Sequence, residues 1–189
     1  MFKGKIILSS NSPRRKQLLA GLDIPFEVRV LDDIDESYPP TLSVQEIPQY
    51  IAKAKAKAYL PTMAVDELVI TADTVVVLGS EVLGKPADRD EAISMLHELS
   101  GQTHQVITGV CLTTCERQRV FGVTTDVTFK RFTDEEISYY VDTYQPFDKA
   151  GAYGIQEWIG YIGVTALNGS YFNVMGLPVQ RIYAELQQF

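Results

Sequence analysis

The sequence has little cysteine and little histidine, and neither residue type follows a functional spacing. Only two of the 189 residues are cysteine and two are histidine. Cys111 and Cys115 lie on a predicted strand, which would separate them by about 13 Å, too far for a disulfide. His97 and His104 do not have the spacing of metal ligands. We therefore expect free thiols in a reducing compartment and a structural, hydrogen-bonding role for His104.

The chain also lacks a long hydrophobic run and an excess of positive charge. The apolar run near the N-terminus covers only residues 6–8, which is too short for a signal peptide or a membrane span. The formal net charge is −7, whereas general nucleic-acid binders normally carry a basic face. We expect no membrane and no nucleic-acid partner, although this charge is compatible with a local basic pocket for a small anion.

The longest β-branched run, residues 68–78, predicts a strand that is covered on both faces. Asp73 lies in its middle, and a carboxylate is almost never fully buried unless a partner pairs with it. A cation, a metal or an open cleft would explain Asp73, and so would hydrogen bonds from a neighbouring loop. The strand alone leaves functional and structural roles equally open.

The first helix has an unusual charge at its start. Residues 5–10 predict a strand that leads into a helix with Ser12 as N-cap and Pro13 at the first helical position. Residues 14–16 are Arg-Arg-Lys, and each cation near a helix N-terminus costs about 0.3–1 kcal/mol if exposed. A phosphate bound at this N-terminus would explain the cations, and the alternative is a solvated basic helix start.

The second helix is predicted from a capping-box pattern. Ser43 and Glu46 have the spacing of that pattern, and the helix is expected to continue to about residue 60. Lys53, Lys55 and Lys57 alternate with alanine, so they cannot form one stripe on a helix. At least one of these lysines is therefore expected to face inward or toward a cleft.

The remaining patterns predict a mixed α/β protein whose sheet is not purely parallel. Residues 79–85 nearly match a P-loop, but Pro86 stands where that motif needs Ser or Thr, and the segment favours a hairpin with a short strand at 81–83. We reject the P-loop, which leaves Lys85 as either a phosphate ligand on a loop or a solvated lysine. Other predicted elements are strands at 26–30, 104–114, 118–130 (antiparallel to its predecessor) and near 161–167, and helices at 88–99, 133–144 and from 177 onward.

Glu36 lies in an acidic turn and offers a possible partner for Asp73. Magnesium typically takes one or two carboxylates and completes its shell with water and substrate phosphates. An exposed acidic turn without a ligand is the alternative, and Glu36 alone favours that alternative.

Six motifs occur in an order that resembles one family. They lie at residues 10–15, 72–76, 84–86, 100–104, 148–156 and 168–171, the last followed by Gly-Leu-Pro at 176–178. The chain resembles the Maf-family nucleoside triphosphate pyrophosphatases over nearly its whole length. The resemblance implies a single two-lobed α/β domain over 1–189, similar to inosine triphosphate pyrophosphatases, with a long twisted mixed sheet flanked by helices and a central cleft.

The resemblance also implies an activity and its setting. Family members hydrolyse nucleoside triphosphates between the α- and β-phosphates, which gives a nucleoside monophosphate and pyrophosphate. They depend on a divalent metal ion, Mg²⁺ or Mn²⁺. They are cytoplasmic and often form homodimers.

Site residues follow from the resemblance position by position. The family's proposed base falls on Asp73, which would hold the metal together with Glu36. The other polar site positions, expected to bind the substrate, fall on Ser10, Arg14, Arg15, Lys55 and Lys85. The positions associated with base choice fall on Arg14, Thr74 and Gln156, and they resemble the branch that acts on dTTP and UTP rather than 7-methyl-GTP. A side-chain amide such as Gln156 can meet the O4 and N3–H edge of uracil or thymine.

Two other functions remain open from the sequence. One is a nucleotide-binding regulator of cell division with little catalysis, and the other is a phosphatase that releases orthophosphate. A carboxylate together with lysines favours an enzyme, because binding alone needs no base.

Overall fold

The computed structural model describes residues 2–189. Its strands are β1 (Lys5–Ser9), β2 (Glu27–Val28), β3 (Glu67–Leu78), β4 (Glu81–Leu83), β5 (Thr103–Thr113), β6 (Gln118–Phe129) and β7 (Val164–Asn168). Its helices are α1 (Pro13–Ala20), α2 (Ile47–Tyr59), α3 (Arg89–Leu99), α4 (Asp134–Tyr144), α5 (Trp158–Gly163), α6 (Tyr171–Val174) and α7 (Val179–Leu186).

Over these residues the strands form one seven-stranded mixed sheet. The order is β2-β1-β3-β5-β6-β7, and β4 pairs with β3 outside this path. Strand β1 is parallel to both β2 and β3, whereas the β3–β4 and β6–β7 pairs are antiparallel. The expected α/β class, with a mixed sheet flanked by helices, is confirmed.

The chain separates into two compact units. The first comprises the chain up to Asp73 together with Thr108–Val123 and Gly176–Phe189, and the second comprises Thr74–Ile107 and Thr124–Met175. Each of the strands β3, β5 and β6 contributes residues to both units. The expectation of a single two-lobed domain with a central cleft stays a prediction.

In the first unit, helix α2 approaches the sheet closely. A Cβ atom on Gly109 of β5 would lie 2.2 Å from the carbonyl carbon of Pro48, so only glycine permits this approach. The buried hydroxyl of Thr71 on β3 donates to the carbonyl oxygen of Ala52 at 2.7 Å. These two contacts fix α2 against β5 and against β3, the strand that carries Asp73.

The second unit has a core of aliphatic and aromatic side chains. Leu96 of α3, Tyr140 of α4 and Phe129 of β6 are almost completely buried in it. Side-chain hydrogen bonds between Thr103 and Thr128, and from Gln105 to Asp126, follow the antiparallel pairing expected for β5 and β6.

The predicted start of the second helix is wrong. Helix α2 begins at Ile47, four residues after Ser43, although the Ser43 N–H does donate to the Glu46 carboxylate at 3.0 Å. A helix that began at residue 44 would place Pro48 in its interior. There the proline would lack an N–H for the carbonyl of Val44 and would clash with it. Residues 43–46 therefore form a turn before the helix.

Three further boundaries differ from the sequence prediction. Strand β2 covers only two of the five residues expected, and Cys115 lies past the end of β5, where it is exposed and free. Residues 161–163 belong to helix α5 rather than to a strand. Gly163 of that helix packs so closely on Phe132 that a Cβ would lie 2.3 Å from the ring, a tertiary contact without a local sequence signal.

Other local predictions are confirmed. The turn after Leu78 joins β3 to β4 as a hairpin, which supports the rejection of a P-loop. Cys111 is buried and free, as expected. Across residues 2–189, no helix combines the length and apolar character needed to cross a membrane.

Glu67, at the start of β3, is a buried acid with a specific partner. Its carboxylate accepts hydrogen bonds from both terminal nitrogens of Arg29, at 2.9 and 2.6 Å, and from the Ala64 N–H at 3.1 Å. The Arg29 hydrogen bond, aided by that of Ala64, lowers the pKa of Glu67 from about 4.5 to about 2.

This depressed pKa predicts a pH-dependent loss of stability. The contribution of Glu67 is complete above pH 4.5 and disappears as the pH falls toward 2, because the unfolded chain takes up the proton first. We expect Glu67→Gln to lower the free energy of unfolding at pH 7 by about 1–3 kcal/mol and to weaken its dependence on pH below 4.5. Urea unfolding at several pH values measures both effects. The exposed Glu116→Gln is the control, and a Glu67→Gln curve parallel to it would contradict the assignment.

Candidate active site

The start of helix α1 presents backbone N–H groups and basic side chains together. The Ser12 hydroxyl accepts a hydrogen bond from the Arg15 N–H at 3.4 Å, and Pro13 occupies the first turn, as predicted. The buried Ser10 hydroxyl accepts from the Ser12 N–H at 3.2 Å. The first turn contains no acidic residue, and Arg14 is its second residue. A helix terminus of this composition suits an anion.

Arg15 is directed toward the backbone of its own unit. Its Nε donates to the carbonyl oxygen of Gly176 at 2.8 Å, and one terminal nitrogen donates to that of Ala72 at 3.0 Å. Burial lowers the pKa of Arg15, while the carboxylate of Asp73 opposes this shift. Arg15 therefore anchors the strand beside Asp73. Its predicted phosphate contact stays a prediction.

Lys55 links the two acids that the sequence paired. Its Nζ lies 3.0 Å from Oδ1 of Asp73 and 3.0 Å from Oε1 of Glu36. The side chains of Lys55 and Asp73 are 14% and 16% exposed, whereas that of Glu36 is 55% exposed. The prediction that one lysine of α2 faces inward is confirmed. One ammonium group thus holds a mostly buried carboxylate and a solvent-facing one near each other.

This carboxylate pair fits a magnesium or manganese ion. Among residues 2–189, no group of three or more His, Cys, Asp or Glu side chains is placed to hold a metal ion. Two carboxylates alone are a donor set that Mg²⁺ accepts when water and phosphate oxygens complete its shell. The Lys55 ammonium, shared by Asp73 and Glu36, shows that a cation can be held by both acids at once.

Lys85, Thr74 and Gln156 belong to the second unit. Thr74 lies on β3, and Lys85 is exposed on the loop after β4. The Gly84 carbonyl accepts from the Gly151 N–H at 3.0 Å, which joins the loop of Lys85 to the segment that leads to Gln156. Gly151 has φ +66° and packs against Val76 of β3, where a Cβ would lie 3.0 Å from the valine methyl groups. The turn at Gly151 therefore contacts both β3, which carries Thr74, and the loop of Lys85, and it leads to Gln156 within the same unit.

Gln156 has an unsatisfied acceptor. Its Oε1 is buried and has no hydrogen-bond partner within the part of the chain that the structure describes. A buried acceptor without a partner is unfavourable by about 1–3 kcal/mol. A ligand with an N–H group would satisfy it.

The sequence did not identify the side chains that hold Glu157, the residue after Gln156. The Tyr140 hydroxyl donates to Oε2 of Glu157 and accepts from the Gly154 N–H at 3.0 Å. Lys149 Nζ lies 3.3 Å from Oε1 of Glu157 and 2.7 Å from Asp148. Lys149 lies in the motif at residues 148–156, where no role was predicted for it. The only sequence feature that could have drawn attention to Lys149 is its position directly before an Ala-Gly-Ala turn.

His104 has the structural role expected of it. It is buried, and its Nε2 shares a hydrogen bond of 2.7 Å with the Tyr153 hydroxyl. Burial lowers the pKa of His104 to about 4, so the ring is neutral at physiological pH. The pair anchors Tyr153, which lies three residues before Gln156.

Comparison of the fold finds a solved α/β structure that is similar over nearly the whole chain. The structure of a HAM1 protein from Coxiella burnetii aligns with 99% of this chain and all of its own, at a TM-score of 0.53 and 14% identity. At this identity the likeness concerns the fold alone, and it agrees with the α/β fold expected from the sequence.

Sequence comparison identifies the family. The family described as Maf-like protein matches residues 5–189. A dTTP/UTP pyrophosphatase of Parabacteroides distasonis is 63% identical over 99% of this chain and 97% of its own length. A dTTP/UTP pyrophosphatase of Phocaeicola vulgatus is likewise 63% identical, over 98% of this chain and 96% of its own. The chain belongs to the Maf family.

The contacts of Arg15 predict a structural effect that lysine cannot replace. Lysine lacks the planar fork that reaches the carbonyls of Ala72 and Gly176 together. We expect Arg15→Lys to lower the free energy of unfolding by about 1–3 kcal/mol, measured by urea denaturation. Arg89→Lys, which alters an exposed ion pair, should leave the free energy of unfolding nearly unchanged. Equal stabilities of the two variants would contradict the anchoring role.

Proposed function

We propose that this chain hydrolyses dTTP and UTP at the α–β phosphoanhydride, which gives a nucleoside monophosphate and pyrophosphate. The observation that carries the proposal is the mostly buried Asp73 carboxylate, held by Lys55 in the first unit. The 63% identity with dTTP/UTP pyrophosphatases supports the same substrates. These relatives favour an enzyme over a nucleotide-binding regulator of cell division.

The start of α1 is the proposed triphosphate site. Its N–H groups, the Ser10 hydroxyl and the guanidinium groups of Arg14 and Arg15 supply donors and positive charge, and Arg favours bidentate contact with phosphate. Arg15 interacts electrostatically with Asp73, Glu36 and Arg14, which supports one continuous site within the first unit. Lys55 and Lys85 are proposed to add compact positive charge as negative charge builds up on the departing pyrophosphate.

Asp73 is the proposed acceptor of a proton from the attacking water. The water oxygen bonds to the α-phosphorus, and a proton of the water passes to an Asp73 oxygen. The bond between the α-phosphorus and the oxygen that bridges it to the β-phosphorus breaks. The electron pair of that bond leaves with pyrophosphate. Electrostatic stabilisation by the surrounding cations is proposed to supply much of the rate.

Glu36 and Asp73 are the proposed holders of Mg²⁺ or Mn²⁺. When bound, the ion would polarise the phosphoanhydride. We further propose a homodimer in the cytoplasm, on the strength of the family resemblance, and the oligomeric state is measurable by sedimentation equilibrium.

Replacing Asp73 by Asn tests its role directly. Asn keeps the shape but neither accepts the proton nor carries charge, so we expect pyrophosphate release from UTP and dTTP to fall at least about 100-fold. Thermal unfolding should show an intact fold. The exposed Asp142→Asn is the control and should retain activity. Near wild-type turnover by Asp73→Asn would overturn the assignment.

Metal removal and product analysis test the reaction class. We expect EDTA to stop pyrophosphate release and Mg²⁺ or Mn²⁺ to restore it. Glu36→Gln should raise the Mg²⁺ concentration for half-maximal activity about 10–100-fold, since one carboxylate ligand is lost. Full activity in EDTA would argue against the metal, and release of orthophosphate instead of pyrophosphate would identify a phosphatase.

A further inference from the structure

A glutamine side chain by itself does not distinguish uracil from cytosine. Uracil and thymine present an N3–H donor beside an O4 acceptor, whereas cytosine presents an N3 acceptor beside an N4 donor. A carboxamide offers one oxygen acceptor next to an NH₂ donor, and rotating it by 180° exchanges the two. If Gln156 contacts the base, another group must therefore fix the orientation of its carboxamide before it can discriminate.

Glu157 lies where it can fix that orientation. The position that a Cβ on Gly154 would occupy is 2.9 Å from Nε2 of Gln156 and 3.1 Å from Oε2 of Glu157. The amide nitrogen and the carboxylate oxygen thus converge on the same face of Gly154. A carboxylate attracts the NH₂ group and repels the amide oxygen, so this arrangement favours one of the two orientations.

In the favoured orientation the amide oxygen of Gln156 is available to accept a hydrogen bond from a ligand. Oε1 of Gln156 is buried and has no hydrogen-bond partner among residues 2–189. In this orientation Oε1 can accept the N3–H of uracil or thymine while one amide hydrogen reaches O4. The reverse orientation, which cytosine needs, would turn Oε1 toward the Glu157 carboxylate.

Glu157 is itself held rigidly. The Tyr140 hydroxyl donates to one of its oxygens and also accepts from the Gly154 N–H, which joins the carboxylate to the backbone beside Gln156. Lys149, whose side chain is 9% exposed, lies 3.3 Å from the other oxygen. Burial and the neighbouring Glu157 raise the pKa of Tyr140, so its hydroxyl keeps the proton that it donates.

We propose that Glu157, held by Tyr140 and Lys149, is a positioning residue that makes Gln156 select uracil and thymine over cytosine. The inference rests on the proposed function in one respect, that Gln156 contacts the base of the bound nucleotide. It assigns to Glu157 no contact with the nucleotide.

The first test compares kcat/KM for UTP and CTP in the wild type and in Glu157→Gln. The variant keeps the size of the side chain but removes the charge that repels Oε1. We expect the UTP-to-CTP ratio of kcat/KM to fall about tenfold, through a higher KM for UTP and a lower KM for CTP. The kcat for UTP should change by less than about threefold, because the phosphate site is untouched.

A matched control separates this effect from a general loss of stability. Glu136→Gln also neutralises a carboxylate of the second unit that pairs with a lysine, Lys130, at 2.6 Å. We expect it to leave the UTP-to-CTP ratio within about twofold of the wild type. Tyr140→Phe, which releases Glu157 without changing any charge, should lower the ratio in the same direction as Glu157→Gln.

A double variant tests whether Glu157 acts through Gln156. In the Gln156→Ala background, Glu157→Gln should have no further effect on the ratio, since the side chain that it orients is gone. An unchanged ratio in both Glu157→Gln and Tyr140→Phe would overturn the inference. Full additivity of the two changes would also overturn it, and so would an unchanged ratio in Gln156→Ala.

Binding measurements keep this inference distinct from the proposed activity. Calorimetry with the non-hydrolysable α,β-methylene analogues of UTP and CTP gives the ratio of the two binding affinities without turnover. If the wild type released no pyrophosphate but Glu157→Gln reduced the binding ratio about tenfold, the proposed function would fail and the inference would hold. If turnover were normal and the binding ratio unchanged, the inference would fail alone.

Discussion

The ammonium group of Lys55 allows an acid to stand in the middle of a buried strand. The carboxylates of Asp73 and Glu36 would repel each other if they were brought together alone. A single cation 3.0 Å from each removes this conflict. Lys55 lies on α2, and α2 can pack this closely on the sheet only because Gly109 has no side chain. The chemistry proposed for Asp73 thus depends on the packing of a helix on a sheet.

Arg15 changes how the basic start of α1 is understood. Three consecutive cations at a helix N-terminus suggested an anion, because the helix dipole is already positive there. One of the three is directed toward the carbonyls of Ala72 and Gly176 instead. That side chain has a structural explanation, so the electrostatic argument for phosphate rests more on Arg14, Ser10 and the backbone N–H groups. A group of cations in a sequence indicates an anion-binding site only when the cations with a structural role are left out of the count.

Local signals in the sequence predicted what local physics determines. The Ser12 cap and the hairpin after β3 follow from contacts a few residues apart. The inward-facing lysine of α2 follows from helix periodicity, although the two acids that it contacts are distant in the sequence. The predicted start of α2 was wrong because Pro48 would have stood in the interior of a helix that began after Ser43, where proline is strongly unfavourable. The role of Glu157 was missed for a different reason. Its partner Tyr140 lies 17 residues away in the chain, and no spacing pattern connects an acid, a tyrosine and a lysine that meet only in the folded chain.

Binding a triphosphate and selecting a base are different physical problems. Every nucleoside triphosphate carries the same phosphates, so the charges and the helix dipole of the proposed triphosphate site would attract all of them alike. Selection requires directional hydrogen bonds to the base edge, and a site that satisfies one pattern rejects another because its polar groups would be left unpaired. A carboxamide meets this requirement only when its orientation is fixed. In the proposed role of Gln156, the selection of a pyrimidine depends on the groups that hold this side chain as much as on the side chain itself, which is the part we propose for the Tyr140–Glu157–Lys149 contacts.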